Sequence, residues 1–143
     1  MKMNEHIFQV GNEAVIQQDS PAGHYSACFE DDGETGYFYA LDLAQAENGI
    51  VDAVHIYNVA NVADRERPST LTIVWSADST KCALLINGYP HAAFDFVARR
   101  GYCRTNLPNP PPSEGSNWSS DHRWSNDAVA WLVSEASHGS SGS

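Results

Sequence analysis

The fold is decided by one stretch, Thr70-Leu71-Thr72-Ile73-Val74-Trp75-Ser76-Ala77, Asp78-Ser79, Thr80-Lys81-Cys82-Ala83-Leu84-Leu85-Ile86, Asn87-Gly88, Tyr89-Pro90-His91-Ala92-Ala93-Phe94-Asp95-Phe96. Three runs rich in β-branched, aliphatic and aromatic residues are separated by two dipeptides suited to chain reversal. Asn-Gly marks a tight hairpin because both turn residues must accept positive φ. Asp at the head of a turn holds nearby backbone N–H groups with its own carboxylate. The stretch therefore predicts a three-strand antiparallel meander. Alternation puts Leu71, Ile73 and Trp75 on one face with Cys82, Leu84 and Ile86, leaving Thr70, Thr72, Ser76 and Lys81 on a more polar face. Pro90 has no N–H for the ladder, which places it at an edge or a bulge.

Upstream, strand signals continue. Ile7–Val10 and Ala14–Ile16 flank Gly11-Asn12 and predict a short hairpin, and His24–Glu30 reads as a strand ending in an acidic turn. Gly36–Ala46 and Ile50–Val59 flank Asn48-Gly49. A two-residue turn there sets Leu41 opposite Ile56, Leu43 opposite Val54 and Asp42 opposite His55, in a hairpin covered on both faces.

Downstream, residues 105–124 form a Pro-rich loop containing Pro108, Pro110, Pro111 and Pro112. One helix follows, capped by Ser125, with Asp127 at the positive end of its dipole and Ala128, Trp131, Leu132 and Ala136 on one face. Residues 137–143 read as a flexible tail. The expected fold is α+β and mainly β, a single domain over 1–136: an antiparallel sheet of hairpins and a three-strand meander, with one C-terminal α-helix packed on it.

Among 143 residues, 18 Asp and Glu face 8 Lys and Arg, a net charge of −10. Residues 1–62 carry ten carboxylates and one lysine, a net of −9. Affinity by phosphate neutralisation is excluded for such a chain, which argues against nucleic acid and anionic membrane as partners. No apolar run approaches the ~20 residues of a membrane span, and the start lacks a secretory h-region, so a cytoplasmic protein is expected. Cys28, Cys82 and Cys103 lack C-x-x-C spacing and read as inert thiols, so no metal and no cofactor is assigned.

Four groups of residues are candidates for function. Glu30, Asp31, Asp32 and Glu34 form the densest acidic run, either a capture surface for a basic protein or a solvated hairpin turn. Trp118, in the Pro-rich loop, is an interface anchor or a lid folded over the core edge. Arg99, Arg100 and Arg104 form the densest basic run, suited to an anionic substrate group, a solvated turn, or the acidic half of another copy. Asp42 opposite His55 is the acid–base pair the register builds.

The stretch Val74–Arg104, with Ala83-Leu84-Leu85-Ile86-Asn87-Gly88-Tyr89 and Phe94-Asp95-Phe96, resembles a family of small bacterial proteins of unknown function. The likeness extends to Asp52-Ala53-Val54-His55-Ile56-Tyr57-Asn58 and to the helix after Trp124. It implies a bacterial cytosolic protein and carries no activity and no functional residues with it.

Two functions follow from the residues. The first is a small acidic protein-binding module, immunity- or inhibitor-like, whose carboxylates speed capture of a basic partner. The alternative is a small hydrolase or ligand-binding enzyme using Asp42 and His55. No nucleophile elbow, phosphate loop or zinc motif supports the second.

Overall fold

The computed structural model describes residues 5–44, 49–105, 117–119 and 121–132. Among the described residues, nine strands form two antiparallel sheets that pack face to face. The first four-strand run is β2 (Ala14–Asp19), β3 (Tyr25–Asp31), β4 (Thr35–Asp42) and β5 (Ile50–Asn58), paired in that order. The second is β6 (Ser69–Trp75), β7 (Lys81–Ile86), β8 (Tyr89–Asp95) and β9 (Arg100–Cys103), to which β1 (Glu5–Phe8) adds alongside β6. The chain is thus two meanders, with β1 lent to the second.

The predicted meander is present with its register. Leu71 pairs with Ile86, Ile73 with Leu84 and Trp75 with Cys82, and all six are buried. Asn87 and Gly88 both have positive φ, as their turn demands. Asp78 accepts hydrogen bonds from the hydroxyls of Ser76 and Thr80 and the N–H of Thr80, which hold its carboxyl at about 2. Leu84 faces Ala92 while Leu85 faces Pro90, so His91 is the extra residue of a bulge beside the proline.

The other face of the meander is less polar than its ends suggest. Val74, Ala83 and Ala93 pair across β6–β8 and are buried. The C-terminal helix lies against β8. It begins as a 3-10 turn at Asn126–Val129, where the Ser125 hydroxyl accepts the Asp127 N–H, and turns α-helical at 130–132. Its expected continuation to Ala136 lies outside the described residues, as do the tail and residues 106–116 of the Pro-rich loop.

Three expectations are corrected. Gly11-Asn12 does not close a hairpin: β1 pairs with β6 and β2 with β3, so this turn carries the chain between sheets. The basic run Arg99–Arg104 is not a solvated turn throughout, since its Arg100–Cys103 forms β9 beside β8. The β4–β5 register also differs. Asp42 lies opposite Tyr25, and His55 lies opposite Tyr37. The reason is loop length and bulging. The Asp42 N–H donates to Gly49 O, closing a loop longer than two residues, and Val51 and Ile56 are each inserted into β5 as an extra residue. Asn48 itself lies outside the described residues.

Aromatic side chains weld the two inner faces. Phe8 of β1 meets Phe29 of β3 edge-on at 5.2 Å, and Phe38 of β4 stacks on Phe94 of β8 at 4.9 Å. Phe96, just past β8, stacks on Tyr25 at 4.3 Å and on Trp75 at 5.5 Å. Each buried ring contributes roughly 1.5–3 kcal/mol over an exposed one. Both meanders therefore depend on the same core.

Candidate functional site

Inward residues Phe29, Phe38 and Val54 fix, by alternation, what the four-stranded sheet turns outward: Cys28, Glu30, Tyr37, Tyr39 and His55. Tyr37 faces both Glu30 and His55 across its neighbours, and Tyr39 faces Cys28. The Tyr37 ring stacks beside Tyr39 at 5.9 Å and leans on His55 at 5.3 Å. The Tyr39 hydroxyl donates to Glu30 at 2.8 Å, and His55 Nε2 lies 2.8 Å from Asn58 Oδ1. Burial and the Glu30 carboxylate push the Tyr39 hydroxyl far above its usual range. The result is a half-buried, ordered aromatic row on an outer sheet face.

The acidic run borders this row, divided by the same alternation. Glu30 points outward. Asp31 points inward and is buried at 1% exposure, so it is corrected from capture surface to interior group. Its carboxylate accepts the N–H of Gly11 at 2.8 Å, the N–H of Gly33 at 2.8 Å and the Tyr57 hydroxyl at 2.6 Å. Asp31 therefore fastens the β1–β2 crossover to the β3–β4 turn. Asp32 heads that turn, accepting the N–H groups of Glu34 and Thr35, which hold its carboxyl below the usual range. Asp32 and Glu34 are exposed at the tip. Adjacent acids such as Glu30 and Asp31 cannot share one surface when strand residues alternate.

The arginines diverge. Arg104 lies between the Tyr89 and Trp124 rings, at 4.6 and 4.0 Å, and donates to Pro90 O at 2.6 Å. Arg100 covers the Tyr102 ring at 4.6 Å and pairs with Asp121 at 3.5 Å. Arg99 is exposed on the turn after β8, with φ of 56°. They form no common anion site. Trp118 lies edge-on against Phe94 and Phe96 at 6.1 and 5.2 Å, half-buried as a lid on the core edge. Asp42, Arg99 and Trp118 do meet along a small polar cleft of about 180 Å³.

Asp42 and His55, separated by the register, make no acid–base pair. A carboxylate–imidazole pair exists elsewhere: His122 Nε2 lies 2.9 Å from each oxygen of Asp52. Asp52 is the inward neighbour of Val54 on β5, and His122 reaches it from the segment bridged in parallel to β9 at Cys103 and Arg123. A carboxylate inside an apolar strand was the available signal, because such a group requires a partner. With side chains 3% and 9% exposed, the pair is too enclosed for a reacting atom to reach. Burial also raises the thiols of Cys28, Cys82 and Cys103, so none is poised as a thiolate. Among the described residues, no three His, Cys, Asp or Glu side chains converge on a metal position. No helix among them is long and apolar enough to cross a membrane.

Residues 8–133 match a family described as "Uncharacterized protein conserved in bacteria (DUF2251)". The chain belongs to this family. A relative in Haemophilus influenzae, itself described as "Uncharacterized protein", is 40% identical to this DUF2251 chain over 124 residues, 87% of this chain and 73% of the relative. No solved structure matches. For this DUF2251 chain the resemblance to a bacterial family is thus sound, and the matched span includes β2–β9, the outer aromatic row and the Asp52–His122 pair.

Proposed function

We propose that this DUF2251 chain is a non-catalytic protein-binding module that holds a basic partner on the outer face of β2–β5. The observation carrying the proposal is the ordered row Tyr37–Tyr39–His55 with Glu30 bonded into it, all four side chains partly exposed on the outer face of the sheet. Tyrosines supply large contact area at small cost in side-chain entropy and are enriched where binding energy concentrates. Asp32 and Glu34 at the adjoining tip, in a half-chain of net −9, give that face the sign that attracts a basic surface. The enclosed Asp52–His122 pair and the raised thiols favour binding over catalysis.

The test is retention of partners by the tagged full chain from extract of its native bacterium, at low and high salt, with mass spectrometry. One stoichiometric basic protein is expected, released as salt screens the charges. Glu30→Lys/Asp32→Lys/Glu34→Lys should abolish that retention, and Tyr37→Ala should weaken it about ten-fold or more. No basic protein at low salt, or retention indifferent to both variants, overturns the proposal.

A further inference from the structure

We infer that the cavity beneath the β5–β6 crossover binds a small carboxylate with an apolar body, independently of the sheet-face reading above. The crossover runs from the 3-10 turn at Val59–Asn61 to Pro68, where the chain leaves one sheet for the other. The cavity has a volume of about 550 Å³, within the roughly 300–1,000 Å³ typical of small-molecule sites.

Its floor and its rim differ in chemistry. The floor is the end of the core: Val10, Ile56 and Ile86, at 8, 2 and 9% exposure, present their last accessible atoms there. The rim carries Arg65 and Arg67, two of only 8 basic residues in the chain. Both are exposed on an ordered loop. Arg65 Nη1 donates to Val59 O at 3.2 Å, and the Arg67 N–H donates to Asp64 O at 3.0 Å. The Arg67 guanidinium makes no hydrogen bond among the described residues, so its donors are available. Two arginines face one carboxylate, Asp64, along the cavity itself, while Glu66 lines a neighbouring hollow with Arg65.

The remaining polar groups are compatible with an anion. Tyr57 reaches the cavity with its ring, while its hydroxyl is spent on Asp31 behind it. The Thr105 hydroxyl donates to His55 O at 2.7 Å. His91 also lines the cavity, and burial together with the Arg104 charge lowers its pKa, so it is a neutral imidazole at pH 7. A hydrated inorganic anion would leave the apolar floor uncovered. A neutral apolar molecule would leave the Arg67 donors unanswered. A carboxylate on an aryl or branched aliphatic body satisfies both, by a charge-assisted bond at the rim and by burial on the floor.

The experiment is an amide-shift titration of the isotope-labelled full chain with phenylacetate, beside 2-phenylethanol, which keeps the ring and lacks the charge. Phenylacetate should give saturable shifts at the amides of residues 62–67, 86 and 91, with the alcohol binding at least about ten-fold more weakly. Arg67→Gln should lower phenylacetate affinity about ten-fold, and Arg65→Gln/Arg67→Gln should reduce it to that of the alcohol. Both side chains are exposed, so the variants should keep the wild-type spectrum elsewhere. Absence of saturable shifts at these amides, equal binding of acid and alcohol, or wild-type binding by the double variant overturns the inference.

Discussion

Two tyrosine hydroxyls are committed to carboxylates in this protein, and that commitment has a pH consequence. Tyr57 donates to buried Asp31 and Tyr39 to Glu30. Burial and the adjoining negative charge push both hydroxyls well above the ordinary value near 10. The folded chain therefore keeps two protons that the unfolded chain gives up as pH rises past about 10. The stability these bonds provide is complete below that pH and is lost above it. Urea unfolding from pH 8 to 11, approximate limits set by the tyrosine range, should show stability falling beyond about 10. Tyr57→Phe should cost about 1 kcal/mol at neutral pH and flatten the alkaline fall, with Tyr39→Phe flattening it further. An alkaline limb unchanged in the double variant would assign the fall to other groups.

At the scale of elements, legibility followed locality. The β6–β8 meander was readable because its turns are governed by residues within them: Asn87-Gly88 by positive φ, and Asp78 by bonds to Ser76 and Thr80. The β4–β5 register was not readable. It depends on the bulges at Val51 and Ile56, which no turn dipeptide in the sequence announces. The choice of β6 as partner for β1 is nonlocal. The candidate site suffered most, since one slip in register moves every side chain to another neighbour. It paired Asp42 with His55 and missed Asp52. The acidic run was visible in sequence, but its division between surface and interior required the strand boundary at Asp31.

Strand β9 shows the same nonlocal control through one glycine. A Cβ on Gly101 would lie 2.6 Å from Asp52 Oδ2 and 2.8 Å from the Phe94 ring. Both neighbours are buried and can yield little. Gly101→Ala should thus destabilise by roughly 1–3 kcal/mol through overpacking, read as a lower urea midpoint. Gly23→Ala is a useful comparison: nothing lies within 4 Å of its Cβ, and its positive φ of 83° is the sole source of strain. Equal stability of Gly101→Ala and wild type would mean that β9 can withdraw from β5.

For the whole molecule, the seam between sheets depends on how β5 and β9, edge strands of different sheets, are joined. Thr105 donates its hydroxyl to His55 O of β5, and the Cys103 N–H donates to His122 O beside β9. Asp52 and His122 complete the seam from opposite sides, with neither side chain more than 9% exposed. A buried pair of this kind is weak evidence of net stabilisation, yet removing one partner strands the other without solvent. His122→Ala should therefore cost about 3–5 kcal/mol at neutral pH. Asp52→Asn added to His122→Ala removes the stranded charge and should recover part of the loss. Chemical unfolding of the wild type and both variants at neutral pH separates these outcomes. No recovery in the double variant would show that the seam is held by packing and backbone bonds rather than by the pair.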